Sequence, residues 1–352
     1  MRTPFPLTSP PNSPLSSPSH TSPSPWVETV WTQVSLYKKL VMHLKEHCSY
    51  ITLQASPVHG LVLSGTSAID HLCLRIDLPP ACFVEYQCEW PSVNDLQDVG
   101  VELNAYTLYS IMKKATAFRH ERVRFRVAWH TNGYYAVTIT FETVNKSERF
   151  HMRGSRVARA AVCVPPLAPG PSELEARVGP LVTVHTTLLV DCFNRFDEDS
   201  FRTVTLSVHT RGDHPATVSF APSKDPTLTL KGRTDSMRGR VYLPYRTTSD
   251  DGPMDTLSTI PSKQRFGDFL LASLRSVARF ASLATTKCLT MQQVKLSRTT
   301  EYTPPLCITF DVVGQGTVTC YLPAVTVDWS SGRNDAGTSS SSDDELPPFG
   351  RA

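Results

Sequence analysis

Four segments of this 352-residue chain carry apolar residues at helical spacing, and each is followed by short runs that alternate in polarity. In "SLYKKLVMHLKEH", Tyr37, Leu40, Val41 and Leu44 fall on one face. Leu108, Ile111, Met112 and Ala115 do so in "NAYTLYSIMKKA", and Leu189, Cys192, Phe193 and Phe196 in "TTLLVDCFNRF". "GDFLLASLRSVARFA" carries Leu270, Leu274, Val277 and Ala281 at closely similar spacing. Each stripe suits a single helix lying on a sheet. Two helices fall in each half, so the chain reads as an internally repeated α+β protein.

Strand signals dominate the remainder. "YITLQA", "GLVLSG", "HLCLRIDL", "CFVEYQC", "VRFRVAW", "YYAVTITFE", "TVTLSVHT", "TLTLKG" and "CITFDVV" are rich in β-branched or aromatic residues. Their alternation predicts antiparallel sheets with one packed and one wet face. "ITFDVVGQGTVTCYLPAV" reads as a terminal hairpin. Its Gly314-Gln315-Gly316 is a turn, since no helix follows to make it a phosphate loop. "APGPSELEARVGP" reads as a link between the halves.

The two ends differ from this pattern. The first 25 residues are dominated by Pro and Ser, too polar to offset the entropy of ordering, with Ser-Pro steps at Ser9, Ser13, Ser17, Ser22 and Ser24. From Ser331 onward, Asp335, Asp343, Asp344 and Glu345 outnumber Arg333 and Arg351. Both ends are expected to be loose tails, and either could accept phosphate or simply stay solvated.

Charge on the exposed helix faces is the strongest functional signal. Lys38, Lys39 and Lys45 lie on the first helix, Lys113 and Lys114 on the second, and Arg275 and Arg279 on the fourth. On the third, Arg195 is offset by Asp191. The net charge is only +3, so a nucleic-acid role must rest on placement. Cations spread over several helices suit a phosphate backbone bound without sequence readout.

Other chemistries find little support. G-x-S-x-G, P-loop and H-E-x-x-H motifs are absent, and the nine cysteines include no C-x-x-C pair. His43 and His47 stand four apart beside Cys48, without a further ligand at useful spacing. No catalytic residue, metal or cofactor is expected. No apolar run reaches the roughly 18 residues of a membrane span, and the first residues lack a secretory pattern.

Several stretches resemble the sliding clamps of the proliferating cell nuclear antigen type. "LYKKLVMHLK" resembles a clamp's first DNA-facing helix, "CFVEYQC" an edge strand and "CYLPAV" the last strand. "EYQCEWPSVNDLQDVGVELNAYTLYSIMKKA", "HCSYITLQASP" and "TFDVVGQGTVTCYLPAV" are similar to the hydroxyurea-sensitive subunit of the nine-one-one checkpoint clamp. The resemblance covers about residues 30 to 327.

It implies a clamp fold with two similar domains, each of two helix-plus-antiparallel-sheet repeats. Boundaries would fall at 1–29 (tail), 30–160 (first domain), 161–177 (connector), 178–328 (second domain) and 329–352 (tail). It implies a non-enzymatic nuclear subunit of a heterotrimeric DNA-damage checkpoint clamp. Such a subunit would join two other clamp-like chains around double-stranded DNA, be placed there by an ATP-dependent loader, and recruit checkpoint and repair proteins. The alternative is a homotrimeric replicative clamp or polymerase processivity factor. The resemblance assigns Lys38, Lys39, Lys45, Lys113, Lys114, Arg195, Arg275 and Arg279 to DNA. It assigns Val164, Leu167, Leu306, Tyr321, Leu322 and Pro323 to a partner groove.

Overall fold

The computed structural model describes residues 25–68, 72–89, 99–114, 121–130, 132–158, 176–196, 201–209, 227–233, 238–244, 263–285, 287–295, 305–312 and 316–325. The first half runs β1 (Trp26–Trp31), α1 (Val34–His47), β2 (Tyr50–Ser56), β3 (Gly60–Thr66), β4 (Cys73–Leu78), β5 (Glu85–Glu89), β6 (Val99–Asn104), α2 (Ala105–Lys114), β7 (Arg122–His130), β8 (Tyr134–Glu142) and β9 (Ser147–Ala158). The second runs β10 (Ala176–His185), α3 (Thr186–Asn194), β11 (Thr203–His209), β12 (Thr227–Arg233), β13 (Arg238–Pro244), β14 (Lys263–Leu270), α4 (Leu271–Ala281), β15 (Cys288–Lys295), β16 (Leu306–Val312) and β17 (Gly316–Leu322).

All described pairings are antiparallel. One sheet has the order β10-β15-β16-β17-β4-β3-β2-β6-β9-β8-β7-β1-β5, and a second has β13-β12-β11-β14. The halves are joined in the first sheet by β17 and β4, with Thr319 opposite Arg75 and Tyr321 opposite Cys73.

Alternation explains which side of each strand is buried. In β7, Val123, Phe125 and Val127 are buried, while Arg122 and Arg126 are exposed. Strands of this kind need cover on one face only. The helices supply it through the stripes read above: Tyr37, Leu40, Val41 and Leu44 of α1 are buried, as are Leu189, Cys192 and Phe193 of α3. One continuous apolar core runs through both halves. Gly60 carries φ +83° where the chain turns from β2 into β3. A Cβ there would lie 2.1 Å from the Leu78 carbonyl oxygen, so glycine is required.

The helices form one layer. α1 packs on α2 and α3 on α4. α1 also meets α4: the His43 ring lies 4.7 Å from that of Phe280, and the His47 ring nitrogen bonds the Ser276 hydroxyl. The layer order is therefore α2-α1-α4-α3.

The structure departs from the sequence reading in several places. β1 starts at Trp26, within the span assigned to the first tail, and β10 starts at Ala176, within the span assigned to the connector. β13 lies in a stretch where no strand was read. Gly267 to Leu270, read as helix, is strand, and α4 starts at Leu271. The terminal hairpin pairs as read, from Leu306 opposite Leu322 to Val312 opposite Gly316. Gly314 and Gln315 of its turn, most of both tails and most of the connector lie outside the described residues.

Candidate nucleic-acid interface

The surface of the helix layer opposite the sheets is where the sequence-selected cations were expected. On α1, Lys39 is exposed and Lys38 half-buried. Lys45 leans toward α2, its ammonium 5.8 Å from the Tyr106 ring centre and 5.3 Å from that of Tyr109. Lys113 and Lys114 are both exposed on α2. Lys114 lies over Phe150 of β9 at 4.4 Å, a cation–π contact that holds the charge at the flank of its helix.

The second half is different. Arg195 is exposed at the end of α3, and Asp191 is exposed one turn earlier. Arg279 is exposed on α4. Arg275 is turned aside. Its Nε and Nη2 donate to the Phe193 carbonyl at 3.1 and 2.9 Å, and Nη2 also reaches the Phe196 carbonyl. A cation at these carbonyls satisfies the open end of α3 and complements its dipole. Arg275, placed on DNA by sequence alone, is thus a clasp between α3 and α4.

The groove residues also divide. Leu306 and Leu322 face each other inside the core, at 0% and 2% exposure. Tyr321, next to Leu322 and paired with Cys307, takes the opposite face of the sheet, and Pro323 is exposed. The alternation that buries Leu322 turns Tyr321 outward, so those two cannot line one surface. Val164 and Leu167 lie outside the described residues.

The remaining sequence candidates serve the core. His43 Nδ1 is 3.3 Å from Glu46 Oε2, and burial holds the imidazole below its usual range. Burial pushes the Cys82 thiol up to about 11, and raises Cys192 and Cys320 as well. Such thiols stay protonated near neutral pH, the wrong state for a nucleophile or metal ligand. Among the described residues no three His, Cys, Asp or Glu side chains gather as a metal site, and no helix is long and apolar enough to cross a membrane.

Two strand edges complete the candidate interface. β17 is the last strand of its half, and β4 is the third strand after α1. Their counterparts are β9 and β13. β17 and β4 pair within the chain, but β9 and β13 do not. Among the described residues, Ser147–Gly154 of β9 pairs only with β8, and β13 pairs only with β12. One junction is closed and its counterpart is open.

This arrangement has solved counterparts. The chain resembles the proliferating cellular nuclear antigen of Entamoeba histolytica, with a TM-score of 0.55 and 14% identity, over 84% of this chain and 98% of that one. It also resembles the PCNA2–PCNA3 complex of Sulfolobus tokodaii, with a TM-score of 0.53 and 12% identity, over 84% and 98%. The fold is that of the sliding clamps. No family model and no curated protein matches the sequence. At these identities the likeness carries the fold alone, and function must be argued from the surface just described.

Proposed function

We propose that this chain is a subunit of a sliding clamp, a ring that encircles duplex DNA without reading its sequence. The observation that carries the reading is one helix layer with Lys39, Lys113 and Arg279 exposed on it and Lys38 half-buried, in a chain whose β9 and β13 leave open the junction that β17 and β4 close. Open edges bond further strands readily and need cover in the working protein. Copies or relatives joined β9 to β13 would extend the sheet while keeping the helices on one side. If the ring closes with the helices inside, cations surround the duplex, and enclosure supplies the hold that individual contacts lack. Arg195, Lys45 and Lys114 would add charge at the flanks of this surface.

The ring is proposed to be the heterotrimeric checkpoint type. Two other clamp-like chains would complete it, an ATP-dependent loader would open and place it, and checkpoint and repair proteins would dock on its outer face. Tyr321, Pro323 and the connector with Val164 and Leu167 are the proposed docking residues. The chain is a scaffold without catalysis, and in a eukaryotic cell it would act in the nucleus.

Photo-crosslinkers test the orientation. Placed at Lys39 and at Arg279 in the assembly captured from cells, each should label bound duplex. A crosslinker at Thr138, on the opposite face of the sheets, should not. Labelling from Thr138 without labelling from Lys39 would turn the ring inside out and end the proposal.

A further inference from the structure

The closed junction is a template for the open one, because the two halves align through their own hydrogen bonding. Tyr50 pairs with Asn104, the residue before α2, and Thr203 pairs with Leu270, the residue before α4. Leu53 therefore corresponds to Leu206. Leu53 leads through Leu63 to Ile76, and Leu206 leads through Leu230 to Val241. Residues 73–77 of β4 thus correspond to 238–242 of β13. At the other edge, Ser155 pairs with Glu102, three residues before α2 begins. The Val325 amide donates to Asp268, three residues before α4 begins. Residues 317–321 of β17 thus correspond to 147–151 of β9.

Transferring the β17–β4 register gives the pairs that a second copy would make. Thr319 opposite Arg75 becomes Arg149 opposite Arg240. Tyr321 opposite Cys73 becomes His151 opposite Arg238. Like charges directly opposite on one face, as Arg149 and Arg240 would be, destabilise a strand pair. Within the closed junction, Arg75 is bonded by Asp77 of its own strand at 2.7 Å. The position corresponding to Asp77 is Tyr242, which carries no carboxylate. β12 and β13 together hold Lys231, Arg233, Arg238 and Arg240 and no acid. On the β9 side, Arg149, His151 and Arg153 are exposed at alternate positions. Nearby carboxylates are engaged further in: Glu28, Glu85 and Glu142 surround Arg124 at 2.6, 3.5 and 3.1 Å.

We propose that these two basic edges bar the chain from closing a ring with itself and select partners whose edge strands carry carboxylates opposite Arg149 and His151, and opposite Arg238 and Arg240. The proposal rests on the clamp reading and specifies its partners: two subunits with acidic edges. Charge here acts by exclusion as much as by attraction.

The solution mass of the full chain tests this at moderate salt. The wild type should be monomeric, and R238E/R240E should assemble, with a roughly threefold rise in mass for a closed ring. R149E should assemble as well, because it meets the native arginines of β13. Combining R149E with R238E/R240E should restore the monomer. Far-ultraviolet circular dichroism establishes that each variant is folded. A wild-type trimer would overturn the proposal, and if that trimer held circular DNA the clamp reading would survive it. Folded variants that all stay monomeric would overturn the charge argument. Assembly of either single-edge variant, lost again in the combination, supports it.

Discussion

The two halves share a backbone plan and differ in how they use charge. In the first half, α1 and α2 leave Lys39 and Lys113 exposed and Lys38 half-buried, and aromatic rings hold Lys45 and Lys114 at the flanks. In the second, Arg275 is bound to carbonyls, Arg195 is the C-cap of α3, and Asp191 sits among them, leaving Arg279 as the outward cation of α4. A count of basic residues treats the halves as similar; their hydrogen bonds do not. The first half is therefore expected to dominate phosphate attraction, and the second to contribute rigidity.

Three perturbations bear on that contrast. Phe280 is 1% exposed at the seam between α4 and α1, where it meets His43 and Phe310. Phe280→Ala should cost about 3–5 kcal/mol. Because one core runs through both halves, a calorimetric scan should still show a single transition at lower temperature. Two resolved transitions would make the halves independent.

The two α4 arginines separate next. Arg275→Ala should lose about 1.5–3 kcal/mol of stability, since its bonds to the α3 carbonyls are charge-assisted. It should leave the salt dependence of DNA binding unchanged. Arg279→Ala should do the reverse, with stability near wild type and a salt slope shallower by about 0.9. Chemical denaturation and binding titrations over a salt series read both quantities. Equal salt effects from the two would return Arg275 to the DNA surface.

The smallest effect is the pH response of the seam. Burial lowers the His43 pKa in the folded protein, so the unfolded chain binds the proton more readily. Stability is then full above about 6.5, the ordinary histidine value, and falls as pH drops below it. His43→Leu should flatten this slope, with a change of about 2–4 °C in Tm between neutral and mildly acidic pH. An unchanged slope would assign the response to another group.

Much of the fold was legible because helical and strand periods leave different marks. All four helices stand where apolar residues recur at helical spacing, and the strands with clean alternation pair as antiparallel neighbours. What escaped notice has physical reasons. Ser147–Gly154 of β9 pairs on one side only, and just Phe150, Met152 and Val157 of "SERFHMRGSRVA" are large and apolar, so the strand leaves a weak mark. β10 contains Gly179 and Pro180, and its register with β15 shifts between Val178 and Val182. α4 has no side-chain N-cap, and Leu270 continues the apolar pattern, so nothing local marks the change from strand to helix.

The site was less legible than the fold. Periodicity identified which helix faces are wet, and hence Lys39, Lys113 and Arg279. It could not show that Arg275 would meet carbonyls 79 and 82 residues away, since that contact depends on how α3 ends against α4. Nor does a motif such as "CYLPAV" record that Leu322 points inward while Tyr321 points out. The open junction needed the register itself, because it is defined by a pairing made in one place and missing in its counterpart.

Retention on DNA measures encirclement most directly. Loaded on a closed circular duplex with its partners, the assembly should stay bound through a high-salt wash and be lost after a single cut linearises the circle. Equal loss from both forms, or retention on the cut DNA with free ends, would contradict a ring held by topology.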